Sequence, residues 1–258
     1  GVETCALPIF LGLGDLGRPL AEALYQGGVS VAAVKKRLTS DDVNVPIDLQ
    51  FADLDDVEAA EQVYAGWQDK AVWVALLPPS AVADYVAVIT QWVKAAQRYA
   101  VPHLVFASSI SVYGSQTRVC DENSELAPET VSAQAIVAAE QVVLKSGMAN
   151  VDVVRLGGLY SSTRHPLNRL LQRSVIEGAE QVVNMLHQDR AVSVLLRAIQ
   201  TPSGRRIRNG VETAHPSKQD FYTAEAMKLG LPCPKFIAGG DTGKVVTTCY
   251  NDFFDILC

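Results

Sequence analysis

The run Gly12-Leu13-Gly14-Asp15-Leu16-Gly17 closes an apolar stretch, Ile9-Phe10-Leu11, and opens an amphipathic one from Pro19 to Tyr25. This is the G-x-G-x-x-G fingerprint in the strand–turn–helix setting that gives it meaning. The first glycine permits the tight turn, and the second lets a pyrophosphate approach bare backbone. The third lets the helix pack close to the strand, so that its N-terminal amides face the phosphates. The spacing predicts a dinucleotide-binding unit at the head of the chain. Leu16, inside the same turn, is expected to touch the ligand.

Outward from that turn, strand and helix signals alternate. Residues 29–34 and 45–49 read as the second and third strands, and 57–68 as a helix. The apolar run 71–77, closed by Pro78-Pro79, suits a buried parallel strand. Helical periodicity follows over 82–99, a strand over 104–107, a helix over 132–145 and a strand over 151–156. This order predicts an α/β fold, a doubly wound parallel sheet of Rossmann type with helices on both faces. Beyond Tyr160 the pattern loosens into helical stretches at 167–177 and 191–199, a strand at 205–211 and a helix at 217–229. The expected division is a dinucleotide-binding body over 1–160, with 183–212 returning to it. A small C-terminal α/β substrate lobe takes 161–182 and 213–258.

The bulk numbers suit a soluble enzyme-like chain. It has 258 residues, 48% of them hydrophobic and 19% charged, enough to bury a large core. A net charge of −6 and a pI near 5.2 argue against nucleic acid or an anionic membrane as partner. No apolar run reaches the ~18 residues of a membrane span, and no basic-then-apolar signal peptide opens the chain. The five cysteines, Cys5, Cys120, Cys233, Cys249 and Cys258, are scattered and form no C-x-x-C pair. No disulfide framework or metal site is expected, and the compartment reading is the reducing cytoplasm. Pro8 is out of character in a central strand, where it removes a ladder donor. The segment 1–9 is similar to a translated sequencing adapter, so the native start is expected to differ.

A family resemblance rests on residues beyond the glycines. Phe106-Ala107-Ser108-Ser109-Ile110-Ser111-Val112-Tyr113-Gly114 resembles the SS-x-x-VYG segment of the extended short-chain dehydrogenases/reductases, the NAD(P)-dependent epimerase/dehydratase superfamily. Arg155 to Tyr160 resembles that family's R-x-x-x-x-Y segment, and Asn184 to Asp189 its N-x-x-H-V-D segment. Arg164-His165-Pro166 and His215-Pro216 with Phe221-Tyr222 are similar to an atypical branch. The match runs from about residue 10 to 245. Family tails usually run further than Cys258, so the sequence leaves open whether the chain is complete there.

The resemblance also exposes a departure. The family carries a Tyr-x-x-x-Lys pair on the helix after this loop. Its Tyr is the general acid/base, and its Lys lowers the Tyr pKa while holding the nicotinamide ribose. A spacing of four puts both on one helix face. Aligned on Glu140, those positions are Ser132 and Ile136 here. Serine does not titrate near neutral pH, and isoleucine supplies no charge. The resemblance implies that Ser109 hydrogen-bonds the reacting substrate oxygen, against the alternative of a strand-end serine satisfying local backbone. His165, in a loop after a strand carboxyl end, and Tyr160 are the candidates to replace the missing base. Tyr113 reads as a packing aromatic and His187 as a structural residue tied to Asn184 or Asp189. Arg190, where the family has an acid, and Ser161-Ser162-Thr163, where it has glycines, are further departures.

Charge speaks to the cofactor. An NAD site carries Asp or Glu at the end of the second strand, whereas here the sequence reads Lys35-Lys36-Arg37. A basic cluster attracts a 2′-phosphate through charge-assisted bonds, so NADP(H) is expected over NAD(H). Asp53 and Leu54 fall where the family approaches the adenine, and Leu77 and Pro78 close the strand facing the dinucleotide. Two functions stay open. One is an oxidoreductase or epimerase acting on a carbonyl or hydroxyl of a small polar metabolite. The other is a non-catalytic dinucleotide-binding sensor. Either is expected as a monomer or homodimer.

Overall fold

The computed structural model describes residues 8–39, 42 and 47–258. Seven parallel strands form the central sheet: β1 (Pro8–Leu11), β2 (Val31–Lys35), β3 (Ile47–Phe51), β4 (Val72–Ala75), β5 (His103–Ser109), β6 (Asn150–Leu156) and β7 (Arg205–Gly210). Their spatial order is β7-β6-β5-β4-β1-β2-β3. The order reverses between β1 and β4, and ligands of open α/β sheets bind at the carboxyl ends beside such a switch point. Residues 1–7, which hold Cys5 and most of the adapter-like segment, lie outside the described residues. Pro8 opens β1 opposite Val72, and the first residue of a strand is a place where the missing N–H is tolerated.

Period-two alternation sorts the strands between two cores. Ile9, Leu11, Ala32, Val34, Trp73, Ala75, Leu104 and Phe106 point to one face, under α2 (Val57–Ala65), α3 (Tyr85–Arg98) and α4 (Val131–Leu144). Phe10, Val31, Ala33, Val72, Val74 and Val105 point to the other, under α1 (Gly17–Gln26) and α6 (Gln188–Gln200). A side chain on either face of β1 is fully buried, which is why that strand reads as an unbroken apolar run.

The helices start where short polar residues offer caps. Asp56 accepts from the amides of Glu58 and Ala59, Asp84 from Ala87, Thr130 from Ala133 and Ser217 from Asp220 at the head of α7 (Lys218–Lys228). The expected helix at 167–177 is shorter than its periodicity implies. Only α5 (Leu167–Leu170) forms, while Ile176–Glu177 pairs with Phe236–Ile237. Strand pairing across the chain overrides the local pattern there. Leu167, Met185, Phe221, Tyr222 and Ala226 make a third, smaller apolar cluster. The stretch expected in the lobe after residue 213 gives its last part back to the body. Val245–Val246 pairs with Val119–Cys120, and Phe253 and Leu257, at α8 (Phe254–Leu257), pack into the core under α1 and α6.

Candidate functional site: a dinucleotide crevice opening into a second cavity

The glycine turn stands at the switch point. Gly12 has φ +96°, a left-handed backbone that glycine adopts without penalty. A Cβ on Gly17 would lie 3.0 Å from the Gly12 oxygen and 3.2 Å from Leu76 Cδ1, so α1 sits too close to the neighbouring strand end for a side chain. A Cβ on Gly14 would meet nothing within 4 Å. That is the bare, open backbone a pyrophosphate needs. α1 begins at Leu16 with no side-chain cap, unlike the other helices of nine or more residues among the described residues. Within the first turn Arg18 N–H donates to the Gly14 carbonyl and Pro19 has no N–H, so the amides of the glycine turn through Gly17 are the ones positioned for a ligand, and the helix dipole favours a negative one. The residues present therefore fit a dinucleotide.

Beside the turn lies a cavity of about 360 Å³, lined by Gly14, Leu16, Gly17, Leu77, Pro78, Ser109 and Ile136 among others. Five expected cofactor residues, Gly14, Leu16, Gly17, Leu77 and Pro78, thus line one cavity with Ser109. Ser109 Oγ accepts from the Ser111 amide at 3.1 Å and caps the short turn Ile110–Tyr113. Its own hydroxyl hydrogen remains free to point elsewhere. Ile136, which the resemblance aligns with the family's lysine, lines this cavity, and Ser132, one turn earlier on α4, is exposed.

Behind the wall runs a buried polar chain. Ser108 Oγ donates to Glu140 at 2.5 Å, and Arg155 holds both Glu140 oxygens at 2.9 and 2.7 Å. Arg155 also donates to the Tyr113 hydroxyl at 2.8 Å, which donates to Asn209 at 2.9 Å. Tyr113 is fully buried, and burial raises its pKa above the ordinary phenol value. It works as a brace between β5, β6 and β7. A buried ion pair holds only when its remaining hydrogen bonds are satisfied, as here. The strand-end Arg155 and helix-borne Glu140 were visible in the sequence, but nothing in their spacing announced the pairing.

A second cavity, of about 770 Å³, adjoins the first and shares Asp15, Leu16, Leu159 and Arg164 with it. Tyr160, Ser161, Thr163, His165, Asn168, Arg169, Gln172, Gln188 and Tyr222 complete its polar lining. Arg164 pairs with Asp15 of the glycine turn, and Gln188 donates to the Asp15 carbonyl. Tyr160 and His165 stand together, ring centroids 5.7 Å apart. Ser109 lines the other cavity. The Tyr160 hydroxyl donates to Glu212 at 3.3 Å, and burial, reinforced by Glu212, pushes its pKa up to about 12. His187 caps α6, its Nδ1 accepting from the Asp189 amide, and its ring packs on Tyr160. Arg190 lies 3.9 Å from Glu212 and donates to the Leu257 carbonyl. Arg169 and Gln172 were not anticipated, because their segment reads as a plain amphipathic helix.

His165 is buried, its Nδ1 accepting from the Leu167 amide at 3.1 Å and its Nε2 facing Glu225 at 3.5 Å. Burial holds its pKa below the ordinary histidine value, with Glu225 opposing. Unfolded, the ring takes a proton near pH ~6.5; folded, it does so only at lower pH. The unfolded state then binds more protons, so stability falls as pH drops below about 6.5. His165→Gln is expected to shallow the loss of Tm between about pH 6.5 and 5. His215, lowered by burial as well, keeps some slope in place. An acid limb identical to that of the unaltered protein would assign the proton uptake to other groups.

At the end of β2 the basic cluster is partly matched by carboxylates. Lys35 Nζ lies 2.7 Å from Asp42, which also takes Arg18 at 3.1 Å. Asp42 is held far below the usual carboxylate range, as these hydrogen bonds outweigh its burial. Lys36 pairs with Asp53 at 2.6 Å on the surface. Arg37 makes no hydrogen bond or ion pair among the described residues, and, after the Lys36 bond, its charge helps hold the Asp53 pKa down. Leu54 is a core residue, 6% exposed.

The model of the NAD dependent epimerase/dehydratase family matches residues 12–195. Protein YeeZ of Escherichia coli K12 is 30% identical over 250 residues, covering 91% of this chain and 88% of its own length. Among solved structures, MoeE5 in complex with UDP-glucuronic acid and NAD superposes with a TM-score of 0.78 at 21% identity, over 97% of this chain and 92% of that one. The Bordetella bronchiseptica enzyme WbmG in complex with NAD gives 0.79 at 17% identity, over 95% and 86%. With the glycine turn, the SS-x-x-VYG segment and the seven-stranded sheet already in place, the chain belongs to the NAD dependent epimerase/dehydratase family.

Proposed function

We propose that the chain is a nicotinamide-dinucleotide-dependent oxidoreductase or epimerase-like enzyme acting on a carbonyl or hydroxyl of a small polar metabolite. The observation that carries this reading is the second cavity. A site of about 770 Å³ that adjoins the glycine-turn crevice is in the size range of small-molecule pockets. Bound nicotinamide would supply or accept hydride at the Ser109 wall. Ser109 donates its free hydroxyl hydrogen to the substrate oxygen. Tyr160, His165, Arg164 and Arg169 orient the polar body of the substrate in the larger cavity. The sugar nucleotides bound by MoeE5 make sugar-like compounds the first class to try. A panel of carbonyl compounds with NADPH and NADH is expected to yield one that is turned over.

A second reading, a dinucleotide-binding sensor, is favoured by the apolar wall around Ser109, which includes Leu76, Leu77, Ala107, Ile136 and Leu156. Tight dinucleotide binding with no turnover across the whole panel would select it.

The cofactor preference goes to NADP(H). No carboxylate ends β2, and Arg37, whose charge acts on Asp53, makes no ion pair or hydrogen bond among the described residues. Lys35 is committed to Asp42, so Lys36 and Arg37 are the residues to test. Replacing both by Ser is expected to remove roughly 1–3 kcal/mol of preference for NADP+ over NAD+, measured by calorimetry. Equal affinities in the unaltered protein would refute the preference.

A further inference from the structure

We infer that Tyr85 supplies the hydrogen bond to the nicotinamide-side ribose that the family's lysine makes from α4. This rests on the reading that the crevice holds a dinucleotide, and it adds a residue that no motif singles out. Tyr85 is the first residue of α3, immediately after the capping Asp84. It is 5% exposed and packs with the core on the α2–α4 face, yet it lines the smaller cavity together with Ser108, Ser109 and Ile136. Its hydroxyl has no hydrogen-bond partner among the described residues. Unlike the enclosed Tyr64 hydroxyl, the Tyr85 oxygen is not sealed in the core; it opens on the cavity, where a ligand or water can satisfy it.

The geometry explains why this hydroxyl is available. α3 and α4 pack side by side, and Ile136 on α4 offers only carbon where a lysine would reach the ribose. Tyr85 comes into the same cavity from the neighbouring helix, carrying a hydroxyl at the end of a rigid ring. Ser108, the other hydroxyl beside Ser109, is already bound to Glu140. Burial, reinforced by the Glu140 charge, raises the Tyr85 pKa above the ordinary phenol value. The group therefore stays protonated across the physiological range and acts as a neutral donor. It has no need to titrate in order to hold a ribose oxygen.

The test uses binding and needs no substrate. Affinities of the unaltered protein and of Tyr85→Phe are measured by calorimetry for NADP+ and for 2′,5′-ADP, which lacks the nicotinamide ribose. NAD+ and ADP serve as a parallel pair. Losing one neutral hydrogen bond is expected to weaken NADP+ about fivefold and to leave 2′,5′-ADP unchanged. Adding Ile136→Lys to Tyr85→Phe should recover most of the lost affinity. Unchanged NADP+ binding in Tyr85→Phe would overturn the assignment. Parallel weakening of NADP+ and 2′,5′-ADP would overturn it too, because the residue would then act through the fold. An unaltered protein that binds none of the four compounds refutes the dinucleotide reading itself, and this assignment with it.

Discussion

Gly14→Val is expected to raise the dissociation constant for the dinucleotide at least about 100-fold while leaving thermal stability nearly unchanged. The asymmetry follows from what surrounds the position. A Cβ on Gly14 meets nothing within 4 Å in the protein, so the folded chain accepts a side chain there. The space it fills is the approach to the amides of the glycine turn and α1. Displacing a phosphate from two such charge-assisted bonds, each worth about 1.5–3 kcal/mol, costs more than two decades in affinity. Gly17→Ala makes the contrast. Its Cβ would meet the Gly12 oxygen at 3.0 Å and Leu76 at 3.2 Å, so α1 must shift and stability falls by about 1–3 kcal/mol. Calorimetry and thermal melts on both variants separate the two effects. A folded Gly14→Val protein with unaltered affinity would remove the assigned site.

How much of this was legible in the sequence depended on the range of the interaction. The glycine turn, the strand alternation and the α4 departure are local patterns, and local patterns transmit through propensity and spacing. Ile136, the position that the resemblance aligns with the family's lysine, lines the smaller cavity. The basic end of β2 was read from sequence as free charge, yet Asp42 and Asp53 claim Lys35 and Lys36 through contacts that only the folded turn creates. Tyr85 carried one signal, its place at the head of a helix following the carboxyl end of β4, but a lone aromatic at helical spacing reads as core. The short strand Ile176–Glu177 was hidden for the same reason. Its partner, Phe236–Ile237, lies about sixty residues away, and no local rule connects them.

Restoring the family's pair, Ser132→Tyr with Ile136→Lys, is expected to raise turnover of a carbonyl compound by roughly 10²–10⁴, the usual worth of general acid–base help. The two positions are four apart on α4 and share a face. Ser132 is exposed, so a tyrosine there costs little; Ile136 is 8% exposed within an apolar cluster, so an ammonium there is partly desolvated. Desolvation lowers the lysine pKa, while the remaining positive charge lowers that of the adjacent phenol, and both shifts bring the proton transfer toward neutral pH. The cost is borne by stability, and Ile136→Met separates the loss of branched packing from the gain of charge. Single-turnover rates with NADPH bound, measured against pH, are the readout. A gain that follows a new ionisation would show that the crevice and the larger cavity still accept a substrate in register with Ser109. Dinucleotide bound at unaltered affinity with no gain would mean that Ser109 faces no reacting oxygen. The apolar wall would then be the functional surface, and the binding-only reading would stand.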